Sequence, residues 1–246
     1  MAGRFDGQPL SHPQARTMQA DPLHQFWHTP MGLHQWAQAD AVNEVLVRVF
    51  KTMRATDPAY TQAPFYASRD DLLQRIRLSE WDALVRFIVD SVRQTVVLAN
   101  QGAWPEAKPG FQIAMRGIWF QMANQGSHHD VHTHGNCSWS GVYCLQVDPP
   151  AQRCQHPVLG AANGVTRFYG PHFNRLGGAA MDFGNAYLQN AHLDIAPVPG
   201  QLVVFPSWLA HQAMPYHGTA ERVIVSFNVS VHAASGSDAV HGYAHV

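Results

Sequence analysis

The sequence predicts a mainly β protein, an antiparallel sandwich or barrel packed on N-terminal helices. Three observations carry that expectation. The apolar period changes from helical to alternating near residue 110. The second half breaks into short apolar runs separated by Gly, Pro and Asn. The last of these runs, "RVIVSFNVSVH" at 222–232, has two chemically different faces. At 246 residues, 46% hydrophobic and 13% charged, the chain can bury a full core, which suits one integrated domain. Within it, a leader and helical region at 1–109 packs on a β core at 110–246.

Taken in order, the opening "MAGRFDGQPLSHPQARTMQADP" is polar and punctuated by proline, with no apolar segment suited to secretion. Asp40 then offers a helix cap before Val42, Val45, Leu46, Val49, Phe50 and Met53, which share one helical face. Ser68 offers a second cap before Leu72, Leu73 and Ile76, and Ser79 a third before Trp81, Leu84, Val85, Ile88, Val92 and Val96. These stripes are core packing rather than a cofactor box. Strands follow at 112–123, 139–147, 164–169, 201–206 and 222–232. The stretch 148–200 is a long insertion with no readable pattern.

Composition removes some functions. A net charge of -1 and a pI near 7.0 provide no basic field for a phosphate backbone, so nucleic acid is not an expected partner. No run approaches membrane-spanning length. Cys137, Cys144 and Cys154 are an odd set of thiols, expected free and acting as small buried apolar groups in a reducing, cytoplasmic setting. Nothing in the sequence excludes a homodimer.

The chemistry gathers in "SHHDVHTHGNCSWSGVYCLQV" at 127–147. His132 and His134 are two residues apart, so on an extended strand both imidazoles project to one side, close enough to share an ion. His211, distant in sequence, completes a three-ligand set from another strand. Imidazole suits iron, zinc, copper and nickel, and a facial set with open positions suits oxygen chemistry on Fe(II). A competing register uses His128 and Asp130 four residues earlier. On 222–232, Val223, Val225, Phe227, Val229 and Val231 point one way, and Arg222, Ile224, Ser226, Asn228, Ser230 and His232 the other. If the valine face meets the helices, Arg222 looks into the barrel, where a fork of donors needs a carboxylate.

These residues carry a family resemblance. "HTHGNCSWSGVYCLQV" followed by "PVPGQLVVFPSWLAHQAMPYHGTAERVIVSFNVS" resembles the 2-oxoglutarate- and Fe(II)-dependent oxygenase family, related to the prolyl 4-hydroxylases. "ASRDDLL" at 67–73 and the helix after Ser79 are similar to the family's N-terminal region. The resemblance implies a double-stranded β-helix (jelly-roll, cupin-like) core and Fe(II), 2-oxoglutarate and O2 as cofactor and cosubstrates. It also implies iron binding by His132 and His211, with His134 standing where related oxygenases have Asp or Glu. The cosubstrate's distal carboxylate would pair with Arg222, with Ser226 and Tyr143 as hydroxyl partners. Asn124 either reaches the same pocket or forms a turn.

The resulting expectation is an oxidoreductase that hydroxylates a small-molecule C–H bond with formation of succinate and CO2, its site made by His132, His134, His211 and Arg222. Two other readings stay open: a three-histidine cupin-type dioxygenase that does not use 2-oxoglutarate, and a non-catalytic metal-binding barrel. The sequence does not name the substrate.

Overall fold

The structure is a computed structural model and describes residues 28–101, 104, 110–170, 184 and 192–233. The polar leader at 1–22 and part of the 148–200 insertion lie outside the described residues.

The N-terminal region is helical, as its apolar period requires, but also contributes two strands that the sequence did not announce. A short β1 (Gly32–Gln35) precedes α1 (Ala39–Ala55), and β2 (Phe65–Ala67) separates α1 from α2 (Leu72–Arg75) and α3 (Ser79–Ala99). None of the three expected caps is used. Gln38, Asp71 and Leu78 hold the N-cap positions, and no side-chain cap bond forms. Asp40 lies inside the first turn of α1, where its charge faces the positive helix end. The Ser68 hydroxyl accepts the Phe120 amide, and that of Ser79 donates to Glu80. Packing of the apolar stripes, more than local capping, sets where these helices begin.

From residue 111 the chain is antiparallel β. The strands are β3 (Phe111–Ala123), β4 (Ser127–His132), β5 (Trp139–Gln146), β6 (Thr166–Tyr169), β7 (His192–Ile195), β8 (Gln201–Pro206), β9 (His211–Tyr216) and β10 (Arg222–Ala233), with a one-turn helix α4 (Pro150–Arg153) after β5. All five expected strands are present. Among the described residues they form a six-stranded sheet, β1-β8-β5-β10-β3-β2, facing a four-stranded sheet, β4-β9-β6-β7.

The two faces of β10 separate the molecule into its layers. Val223, Val225, Phe227 and Val229 are fully buried against Leu46, Phe50, Leu84, Ile88 and Val92 of the helices. Each such side chain contributes about 1.5–3 kcal/mol of burial. Phe50 of α1 stacks on Phe120 of β3 with ring centroids 4.3 Å apart. Arg54 of α1 donates to both carboxylate oxygens of Glu221, at 2.5 and 3.0 Å, tying the helix to the start of β10. The opposite face of the sheet looks toward the four-stranded sheet. There a smaller cluster of Phe168, Ile195, Val203, Phe205 and Leu209 closes part of the space, and polar groups line the rest.

β3 is not uniform. Its pairing with β10 runs Asn228↔Gly117 and then Val229↔Met115, skipping Arg116. Phe111, Ile113 and Met115 face the helices before this β-bulge, and Ile118, Phe120 and Met122 after it. Arg116 and Gly117 therefore both point to the inner side of the sheet, which strict alternation forbids.

The three cysteines are free, and burial pushes the Cys144 thiol up to about 12. No helix among the described residues is long and apolar enough to cross a membrane.

The tightest point of the main sheet is Gly141, opposite Phe227 on β10 and Val204 on β8. A Cβ there would strike the Phe227 ring and come 2.9 Å from the Val203 carbonyl oxygen, whereas a Cβ at Gly135 meets nothing within 4 Å. Gly141→Ala should lower unfolding free energy by about 1–3 kcal/mol through overpacking, read as a drop in the urea midpoint. Gly135→Ala should stay within about 0.5 kcal/mol of the parent.

Candidate metal centre

Antiparallel pairing of β4 with β9 sets His132 directly opposite His211, with ring centroids 4.3 Å apart. β4 ends at His132, so His134 does not share its strand. It is held instead by its own amide, which donates to Ser207 O at 2.9 Å in the turn between β8 and β9. That bond brings His134 Nε2 to 3.3 Å from His211 Nε2. The three imidazoles offer ligand atoms that all lie within 4.8 Å of one another. The expected same-face pair is thus assembled, by a loop contact rather than by strand alternation.

The far nitrogens are occupied in a way that suits ligation. His132 Nδ1 lies 2.7 Å from Asp130 O, and His211 Nδ1 2.9 Å from Leu209 O. A proton on each Nδ1, donated to its backbone carbonyl, leaves each Nε2 lone pair to the centre of the cluster. Burial, with His132 adding its field, pushes His134 down to about 4 and His211 down to about 3. Both are neutral at physiological pH, the form a metal requires. Three imidazole nitrogens without a carboxylate suit a borderline divalent ion such as iron, nickel or zinc.

Arg222 enters the same cavity from the facing sheet. The residue is only 4% exposed, and its Nη2 donates to Thr166 Oγ1 at 3.2 Å. Its Nε has no hydrogen-bond partner, and no carboxylate among the described residues pairs with it. Burial pulls its pKa below the ordinary guanidinium range. An uncompensated buried charge costs several kcal/mol, so this arrangement calls for an anion. The histidines, Arg222 and Ser226 line one cavity of about 40 Å³.

Two other expected residues go elsewhere. Alternation along β5 turns Val142 into the cavity and Tyr143 onto the helix side, where its hydroxyl donates to Asn43 Oδ1 at 2.8 Å. Asn124 takes the turn alternative: its side chain donates to Gly218 O and accepts the Gly218 and Gln125 amides. His128 and Asp130 form an exposed pair at 3.5 Å and do not join the cluster. Three polar lining residues were missed. Thr166 and Gln121 carry no signal beyond their place on predicted strands. His129 was visible in the histidine run, but only the irregular β4 pairing turns it inward, 4.6 Å from the His132 ring.

Residues 117–228 match the family model described as "Putative 2OG-Fe(II) oxygenase". No curated protein sequence matches the chain. Among solved structures, a prolyl-4-hydroxylase from Pseudomonas putida aligns over 82% of this chain and 93% of its own, with 15% identity and a TM-score of 0.50. HygX from Streptomyces hygroscopicus, solved with nickel and 2-oxoglutarate bound, aligns over 82% of each chain at 9% identity and a TM-score of 0.50. A prolyl hydroxylase from Trichoplax adhaerens, in complex with a hypoxia inducible factor peptide fragment, aligns over 82% of this chain and 84% of its own, at 13% identity and 0.50. These likenesses show a double-stranded β-helix, as expected from the sequence.

Alanine at His132, His134 or His211 should each abolish tight metal binding, measured by metal content after anaerobic loading and desalting, with circular dichroism unchanged. Alanine at His128 or Asp130 should bind as the parent does. The reverse ranking would move the centre to the earlier register. A depressed histidine pKa also fixes the sign of a stability effect. The unfolded chain takes up protons below about 6.5 that folded His134 and His211 refuse. Metal-free protein should therefore lose stability as pH falls from about 6.5 toward 4, seen as a falling urea midpoint, and His211→Gln should flatten that slope.

Proposed function

We propose that the chain is a non-haem Fe(II)- and 2-oxoglutarate-dependent oxygenase that hydroxylates a C–H bond of a small molecule. The observation that carries the reading is Arg222, a buried guanidinium with an unpartnered Nε in the same cavity as three convergent histidines. A metal alone does not answer that charge. A ligand that chelates a metal at one end and carries a carboxylate at the other answers both features. 2-Oxoglutarate has that form, and the match of residues 117–228 to an oxygenase family supports it. A three-histidine dioxygenase without 2-oxoglutarate would leave the guanidinium without a counter-ion.

In this reading His132, His134 and His211 hold the metal through Nε2, with Asp130 O and Leu209 O fixing two of the rings. Arg222 binds the distal carboxylate, and Ser226, two positions along the same face of β10, adds a hydroxyl. Thr166, already bonded to Arg222, stands where Tyr143 and Asn124 were expected to help. Phe205 packs on His211 at 4.6 Å between ring centroids and keeps that flank dry. When bound, Fe(II) with O2 and 2-oxoglutarate supplies the oxidation: the C–H bond becomes C–OH, and 2-oxoglutarate becomes succinate and CO2. The protein's work is placement of the cosubstrate, fixation of ligand tautomers and exclusion of water. The free thiols agree with a reducing, cytoplasmic setting.

Charge-assisted hydrogen bonds contribute about 1.5–3 kcal/mol, a tenfold to hundredfold change in affinity. Arg222→Ala should weaken 2-oxoglutarate binding by about that factor in anaerobic titration of the iron-loaded protein, with metal content retained. Arg222→Lys should recover part of the loss, because the charge survives and the fork does not. Identical binding in the parent and the alanine variant would remove Arg222 from this role, and absence of 2-oxoglutarate binding in the parent would end the reading.

A further inference from the structure

Beyond the histidines, on the side away from Arg222, the inner surface opens into a solvent-exposed cleft of about 590 Å³ lined by Asp70, Arg116, Gly117, Gly135, Asn136 and Asn228. Gly135 and Asn136 follow His134 directly in the chain. Asn228 is one inward step beyond Ser226 on β10, roughly 6–7 Å along the strand. The cleft and the metal cavity are therefore consecutive stretches of one inner surface, with the histidines between the cleft and Arg222.

The lining of this cleft is mainly polar, and its two charges are positioned by the fold. Arg116 is the bulged residue of β3, so the bulge alone turns its guanidinium from the helix side to the inner side. Its Nε donates to Ser230 Oγ at 3.0 Å, and its Nη2 lies 3.2 Å from His232 Nε2, which leaves Nη1 for a ligand. Asp70 is brought to the same rim by a bridge between Asp71 and Ile118 and by its carbonyl, which accepts the Ile118 amide at 3.0 Å. Its side chain lies over Gly117, where a Cβ would come 3.1 Å from Oδ2. Among the described residues no ion pair joins Asp70 to Arg116 or to any other cation. Asn228 Oδ1 accepts the Ser140 hydroxyl at 2.7 Å, so its amide hydrogens remain to donate. Asn136 holds a left-handed φ of 57°, which Asn tolerates better than most residues.

We infer that this cleft is the substrate site and that it takes a free, amino-acid-like zwitterion, its carboxylate on Arg116 and its ammonium on Asp70. The inference rests on the oxygenase reading and deepens it. Asp70 and Arg116 are exposed, opposite in charge and not paired with each other, so both are open to a ligand that carries the two complementary charges. A free amino acid carries both within one small head group, whereas a residue inside a polypeptide carries neither. The polar lining disfavours an apolar substrate, and the neighbouring His134 places the side chain of such a ligand toward the metal set.

The test uses the full chain loaded anaerobically with Fe(II) and 2-oxoglutarate. The twenty proteinogenic L-amino acids are titrated singly by calorimetry, each beside its N-acetyl amide, and succinate release in air is measured in parallel. At least one free amino acid should bind with a submillimolar Kd and stimulate succinate formation, and its N-acetyl amide should bind at least tenfold more weakly. Arg116→Gln and Asp70→Asn should each weaken that amino acid roughly tenfold or more, with the Kd for 2-oxoglutarate unchanged. The zwitterion assignment is overturned if 2-oxoglutarate binds but no free amino acid does. It is also overturned if the blocked form binds equally, or if both variants bind as the parent. A parent protein that fails to bind 2-oxoglutarate overturns the oxygenase reading itself, and this inference with it.

Discussion

β10 is a central strand that must satisfy two incompatible surroundings at once. It pairs with β3 on one side and β5 on the other, so it has no free edge over most of its length. One face is a continuous apolar row packed under α1 and α3, and that row fixes the strand's orientation. A slip of one residue would bury Arg222, Ser226 and Asn228 in the helix interface and expose five apolar side chains. The large stabilisation of the valine face therefore holds the costly polar face in position. That polar face carries Arg222 beside the metal cavity and Asn228 in the cleft beyond it.

The second sheet answers β10 with histidines. His132 and His211 face each other across one antiparallel pair, and their Nδ1 atoms are tied to carbonyls two residues earlier in their own chain segments. This economy of placement matters because the cluster has no charged ligand of its own. A triad without a carboxylate leaves negative charge to arrive with a ligand, and Arg222 in the facing sheet has no carboxylate partner among the described residues. In the proposed reading, the metal set and the guanidinium together take one dianionic chelator.

Departures from regularity fall around the site. The β3 bulge re-aims Arg116, the register of β4 shifts on both sides of His129, and Asn136 takes a left-handed conformation just after His134. Each breaks the period-two rule, as does the ladder of β5 with β10, which skips Leu145 beside Arg222. Bulges near binding surfaces are a common means of turning one side chain out of its row. In this molecule they add a second inward charge and a fourth inward imidazole without disturbing the apolar face beneath.

The sequence by itself determined what depends on period and composition. Alternation located five strands within a residue or two, and the two faces of 222–232 assigned Arg222 to the interior before any partner was known. The spacing of His132 and His134, with His211 downstream, named the residues that converge. What it did not hold were facts created by pairing between distant segments. That His134 reaches the cluster through Ser207 O, that Tyr143 lies on the helix side of β5, and that Asn124 binds the Gly218 turn all depend on register. Caps at Asp40, Ser68 and Ser79 were plausible locally and unused, because docking of the stripes outweighs one capping bond. β1 and β2 are only four and three residues long, too short for a period, and exist because a sheet edge was there to receive them. The inward Arg116 is the plainest case: its row is decided by one skipped residue in the β3–β10 ladder, and a ladder is a property of two strands, not of either sequence alone.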